Sequence, residues 1–392
     1  MSEKIVQKTV FKLLSASLFT NESVELLAED AVLDEMKEQT VAALPGEWLK
    51  NHYARNKAQW SAFCDFQRVQ WIRVMYGQEQ LLKLFNDNHM PCVIIKGAAA
   101  AMYYPHPDLR TMGDVDVLVK RADIDKAAGI MESNGYSLTY EKDHVNHHYN
   151  YEKDRISFEL HRRLPVILNS DERRLALFEE GIDNREWHET EGFRFPTLPK
   201  TLNGLVLIFH IEQHLREGLG LRQIIDWMMF VNSLNNAEWQ EMVAKLRETG
   251  MERLAFTVTE LCQKHFGLRH FVEEDSSYPC EELLAFIMEK GNFGRKAGLD
   301  GKTEAFSLSA TERGGFFRRL QRGGLGRWKT AKKYPFLRPF AWMYQSFRII
   351  GELKKSGKSP KEIMESRKRG IEQRKLIEAL GLDMDRTVHE KH

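Results

Sequence analysis

Residues 91–120 read PCVIIKGAAAAMYYPHPDLRTMGDVDVLVK. A short apolar run, Cys92 to Ile95, closes on Lys96-Gly97; a small-residue helix start and a Pro/His loop follow. Arg110-Thr111-Met112-Gly113 then leads into Asp114-Val115-Asp116 and a second apolar run, Val117 to Val119. Side chains alternate along a strand, so both carboxylates leave by one face, with their Cα atoms roughly 6.5–7 Å apart. Two like charges at the mouth of a buried strand are costly unless something pairs with them. A divalent cation shared between them is the usual remedy, and two-metal phosphoryl-transfer sites are built this way. Phosphate chemistry is therefore the leading expectation. An Asp-x-Asp alone is a weak signal, because an exposed edge strand carries such a pair at no cost.

The context strengthens it. A strand–turn–helix unit with Lys96-Gly97 at its turn lies just upstream, and Arg110 sits four residues before the first aspartate. In the segment 155–161, RISFELH, Ile156, Phe158 and Leu160 fall on one face, and Ser157, Glu159 and His161 on the other. Tyr149 to Glu152, a turn at Lys153-Asp154, and that run read as a hairpin. Its polar face would bring Glu159 beside the aspartates, with His161 placed to touch a substrate phosphate or orient the carboxylate.

The order Lys-Gly, Arg, Asp-x-Asp-apolar-apolar-Val, then Glu-Leu-His resembles the polymerase-β-like nucleotidyltransferase superfamily. More closely it resembles the bacterial uncharacterised nucleotidyltransferase family, over roughly residues 80 to 235. The resemblance implies that Asp114 and Asp116 hold two Mg2+ (or Mn2+) ions. Glu159 would be the third carboxylate and help activate the acceptor hydroxyl. Gly97 falls where the superfamily has a Gly-Ser turn that admits the triphosphate. Lys96-Gly97-Ala98 lacks that serine, and Lys96 and Arg110 would supply the positive charge instead.

The rest of the chain sets looser bounds. Its 392 residues suffice for two or three domains and a large core. A net charge of +1 gives no support to nucleic acid as an overall partner. Cys64, Cys92, Cys262 and Cys280 form no Cys-x-x-Cys pair, which argues against a zinc ribbon or disulfide scaffold and suits a reducing cytoplasm. The charged N-terminus does not read as a signal peptide, and no apolar run approaches the ~20 residues of a spanning helix.

The expected fold is α+β, a small mixed sheet flanked by N-terminal and C-terminal helical regions. Boundaries fall at 1–88 for an N-terminal helical region, 89–198 for the nucleotidyltransferase core and 199–290 for a helical region packing on it. A basic Gly/aromatic linker at 291–338 and C-terminal helices at 339–392 complete the chain. Helices are expected at 4–19, 22–38, 45–88, 123–133, 202–215, 221–234, 237–267 and 359–382. Trp48, Tyr53, Trp60, Phe63, Val69, Ile72 and Leu81 make a largely buried set, and Arg222 and Asp226, four apart, can pair on a helix face.

Other motifs compete for function. His210 and His214, one turn apart, have a zinc-binding spacing, but Glu212 faces away and no third ligand is evident. His144, His147 and His148 cluster in a way that also suits a solvated edge strand. Residues 313–338 carry nine Lys or Arg, no acidic residue and five aromatics, a composition suited to an anionic membrane or polyanion; a linker docking on acidic parts of the body is the plainer reading.

The expected activity is transfer of a nucleoside monophosphate from a nucleoside triphosphate to an unidentified acceptor, with pyrophosphate leaving. Relatives of this type occur near cell-surface polysaccharide genes, which favours a carbohydrate intermediate over protein or RNA. A kinase-like phosphotransferase using the same cleft and a non-catalytic nucleotide-binding module are the alternatives. The expected location is cytoplasmic, peripheral at the inner membrane face if the basic segment binds lipid.

Overall fold

Alternation along Asp114–Leu118 divides the molecule in two. In the computed structural model, which describes residues 3–52, 57–139, 147–292, 330, 333–355 and 360–383, this segment is strand β2, and Val115 and Val117 point away from Asp114 and Asp116. Strands β1 (Val93–Ile94), β2, β3 (Ser137–Leu138), β4 (His148–Lys153), β5 (Ile156–His161), β6 (Glu186–Thr190) and β7 (Phe193–Thr197) form one sheet in the order β3-β4-β5-β2-β1-β7-β6. The sheet is mixed: β2 pairs parallel with β5 and antiparallel with β1, and β1 pairs parallel with β7.

Fourteen helices surround the sheet among the described residues. In chain order they are α1 (Glu3–Ser15), α2 (Glu29–Glu38), α3 (Gly46–His52), α4 (Lys57–Asp87), α5 (Gly97–Ala101), α6 (Ile124–Ser133) and α7 (Glu172–Asp183). After the sheet come α8 (Lys200–Glu217), α9 (Leu221–Asn232), α10 (Asn236–Thr249), α11 (Glu252–Phe266), α12 (Cys280–Lys290), α13 (Arg338–Lys355) and α14 (Pro360–Ala379). No described helix is long and apolar enough to cross a membrane. The α+β architecture with helical flanks is as expected.

The two faces of the sheet have different fates. Val115, Val117, Phe158 and Leu160 are buried in one core with Trp71 and Phe85 of α4 and Met131 of α6. A second core joins Val93 and Leu118 to α8 and α9, and runs on through α1–α3, α11, α12 and the end of α14. The polar side of β2 and β5 is left facing the region between these helices.

Local chemistry sets the element ends. Asn235 and Glu238 form a capping box at the start of α10. The expected helix at 237–267 is two helices, because Gly250 at φ +71° closes α10 in a left-handed cap. The expected 22–38 helix begins only at Glu29. The β4–β5 turn is at Asp154-Arg155, both at positive φ, one residue later than expected; Arg73 Nη2 donates to both carbonyls, at 2.8 and 2.7 Å, and holds it. Val69 and Ile72 are exposed rather than buried, and with Phe66 and Tyr76 they line one exposed side of α4. Tyr53, His144 and residues 313–329 of the basic segment lie outside the described residues.

Candidate active site

Parallel pairing of β2 with β5 sets Asp114 beside Ser157, Asp116 beside Glu159 and Leu118 beside His161. On the far side of β5, Asn150 pairs with Glu159 and His148 with His161. The side chains that the spacing places on one face thus meet across three adjacent strands.

Lys96 enters from the end of β1. Its backbone, at φ +55° and ψ −132°, is in a region that glycine favours, and Gly97 follows at φ +22°. Holding a lysine there costs on the order of 1–3 kcal/mol, and the turn brings the amine to the carboxylates. Nζ donates to Asp116 Oδ1 at 2.6 Å and lies 3.9 Å from Glu159 Oε2. Burial opposes this charge, but Asp116, Glu159 and Asp114 together raise the lysine above its ordinary range.

His161, with no exposed surface, donates from Nε2 to Asp116 Oδ1 at 2.8 Å, with Glu159 Oε2 at 3.1 Å. Burial again opposes its charge, and the two carboxylate hydrogen bonds prevail and raise it. Burial would raise both carboxylates in turn. Lys96 instead holds Asp116 low, and the hydrogen bond and charge of His161 hold Glu159 far below its usual range. Asp116, Glu159 and His161 each offer a ligand atom within 4.8 Å of the others.

Asp114 is the exception. It makes no hydrogen bond or ion pair among the described residues. Burial, then the negative charges of Asp116 and Glu159, push it up to about 7, against a partial pull from Lys96 and Arg222. It stands outside the tight trio, which is Asp116–Glu159–His161 rather than the three acids. Hard carboxylate oxygens, one of them without a partner, suit magnesium or manganese.

Arg110, expected to offer its charge to phosphate, is paired with a carboxylate of the fold itself. Its Nε and Nη2 both donate to Asp226 of α9 at 2.7 Å, and Tyr104 donates to the same carboxylate at 2.7 Å. The Arg110 and Asp226 side chains are 4% and 2% exposed. Asp226 is therefore not the partner of Arg222.

That leaves Arg222, which sequence reasoning assigned to Asp226, without a hydrogen bond or ion pair among the described residues. Burial, then the charge of Arg110, lower it from the usual arginine range, while Asp114 and Asp226 pull the other way. Helices α8 and α9 are tied to the segments around the site. Asn203 of α8 donates to the Ala99 carbonyl at 2.8 Å and lies 3.0 Å from the Tyr103 hydroxyl, and Asp226 anchors α9. His210 and His214 lie one turn apart on α8, one ring nitrogen donating to the other at 2.9 Å. Burial keeps both neutral: His214 is pushed down to about 3 and His210 well below its ordinary range. No third ligand-bearing side chain joins them in a metal-sized cluster among the described residues.

A further cluster lies at β4, where His147, His148 and His161 approach one another. Burial, helped by His161, pushes His148 down to about 4. All four cysteines are buried and free.

Comparison with protein families matches residues 27–267, more than half of the chain, to the family described as uncharacterised nucleotidyltransferase. Comparison with curated proteins gives no match.

Proposed function

The chain belongs to the uncharacterised nucleotidyltransferase family, and on that premise we propose that it is a metal-dependent enzyme moving a nucleoside monophosphate from a nucleoside triphosphate to a hydroxyl acceptor. The observation that carries this reading is Asp114, an acid without a partner beside two further carboxylates on paired strands. Packing alone has no use for it, since an unpaired acid there disfavours the folded state.

In this reading Asp114, Asp116 and Glu159 hold magnesium or manganese, which offsets the charge developing on the α-phosphate and on the attacking and leaving oxygens. Lys96 is the cleft's built-in cation, keeping the clustered acids from repelling one another and an incoming phosphate. Arg222, whose planar fork is uncommitted, takes phosphate oxygens in two parallel hydrogen bonds. Glu159, kept ionised, helps hold the metal and activate the acceptor hydroxyl, and His161 holds Glu159 and Asp116 in orientation. A carbohydrate intermediate is the acceptor that the family resemblance favours, and the cytoplasm, where nucleoside triphosphates are made, is the proposed location.

The test is incubation of the full chain with α- or γ-labelled nucleoside triphosphates, magnesium and a cell extract as acceptor source. The α-label is expected to reach an acceptor, and Asp116→Asn to stop it. Transfer of the γ-label would assign a kinase-like reaction instead, and no transfer of either label from any of the four nucleotides would sink the proposal.

A further inference from the structure

We propose that His147, His148 and His161 form a transition-metal site, suited to zinc or a similar ion, that shares His161 with the carboxylate cleft. The three imidazoles each offer a ring nitrogen within 4.8 Å of the others. Ring centroids are 4.2 Å apart for His147–His148, 5.1 Å for His148–His161 and 5.9 Å for His147–His161. Zinc–nitrogen bonds of about 2.0–2.1 Å in a tetrahedron put nitrogens ~3.4 Å apart, so small side-chain rotations close the set.

Consecutive residues in a strand point to opposite faces, which would keep His147 and His148 apart. His147 escapes this because it precedes β4, where its carbonyl accepts from Arg162 N at 3.0 Å. Both histidines therefore reach the same side as His161.

Two further observations point to a ligand. Nδ1 of His161, a residue with no exposed surface, and Nδ1 of His148 are buried and have no hydrogen-bond partner. Buried polar atoms are rarely left this way. His161 also has its other nitrogen engaged, since Nε2 donates to Asp116 and Glu159. Metal-bound histidines are arranged like this, with the second ring nitrogen donating to a carboxylate that fixes ring and tautomer. Here the carboxylates doing the fixing are those of the cleft, so an ion on the histidines would lock the orientation of Asp116 and Glu159. An all-nitrogen donor set disfavours magnesium, which separates this ion from the one proposed for the acids. The inference does not depend on nucleotidyl transfer.

The test uses full-length chain stripped with chelator and titrated with zinc, with zinc-edge X-ray absorption on the wild-type complex. One zinc per chain, three imidazole nitrogens around it and no displacement by excess magnesium are expected. His148→Ala is expected to weaken zinc binding by about tenfold or more, with His210→Ala leaving it unchanged. Oxygen-dominated coordination, displacement by magnesium, or undiminished binding in a His147→Ala/His148→Ala double variant would overturn the site. If the histidine variants do not fold, the wild-type coordination and magnesium competition decide the matter alone.

Discussion

Two arginines and two aspartates, carried by the approach to β2 and by α9, behave in opposite ways. Arg110 and Asp226 meet in a bidentate pair that Tyr104 completes, closed off from solvent. Asp114, four residues after Arg110, and Arg222, four before Asp226, each remain without a hydrogen bond or ion pair. The first pair joins α9 to the sheet and commits both carboxylate oxygens and two guanidinium nitrogens to each other. The second pair of groups is close enough to feel each other's charge but not joined. The contrast separates two uses of the same residue types: a closed rivet in one place, and side chains left uncommitted in the other.

The comparison can be broken at either end. The largest expected effect on stability is from Asp226→Ala, which strands a buried guanidinium and is expected to cost about 3–5 kcal/mol, read as a lowered urea midpoint. A loss under about 1 kcal/mol would mean that the rivet is not structural. Asp114→Asn should do the reverse, leaving the fold at least as stable at pH 8 while cutting transfer by about 10²–10³-fold, as expected for loss of one group stabilising developing charge. Full activity in that variant would reduce Asp114 to a bystander. Arg222→Gln removes one charge-assisted contact worth about 1.5–3 kcal/mol, so nucleotide KM is expected to rise by about 10–100-fold with little change in melting. An unchanged KM would leave the guanidinium without a role.

A smaller effect concerns pH. Asp114 is pushed up to about 7 from an ordinary value near 3.8, so between those values the folded chain holds a proton that the unfolded chain has lost. Asp114's own contribution to metal-free stability is therefore expected to fall as pH rises from about 4 to 7, against the opposite contribution of buried histidines such as His148 and His214. The wild type is thus expected to lose stability relative to Asp114→Asn across that range. Identical pH profiles for the two chains would contradict the carboxyl's assignment.

Much of this was readable from residue order. Period-two alternation put Asp114 with Asp116 and Glu159 with His161, and the parallel register then joined the two sets. The family match, at 27–267, runs further than the 80–235 stretch that short motifs could reveal, because the added helices contribute core rather than chemistry. Arg222 was misassigned because spacing of four predicts a pair with Asp226, and nothing local shows that Arg110, 116 residues away, has already claimed that carboxylate. Val69 and Ile72 were misjudged for a related reason: an apolar residue on a long helix declares a face, not what covers it.

The parallel pairing of β2 with β5 also has a kinetic side. Asp114 meets Ser157, and Leu118 meets His161, only after the chain between them has looped over and returned. β1 cannot be flanked on its other edge until Ile94 finds Thr197. Such long loops close slowly, since their entropy is lost before any contact rewards it. Helices such as α4 and α6 need only their own neighbours and can form early. On the ribosome, where the chain emerges at about 5–20 residues per second, the acids therefore spend seconds as ordinary solvated side chains, and their gathering across β2 and β5 is expected among the later events of folding.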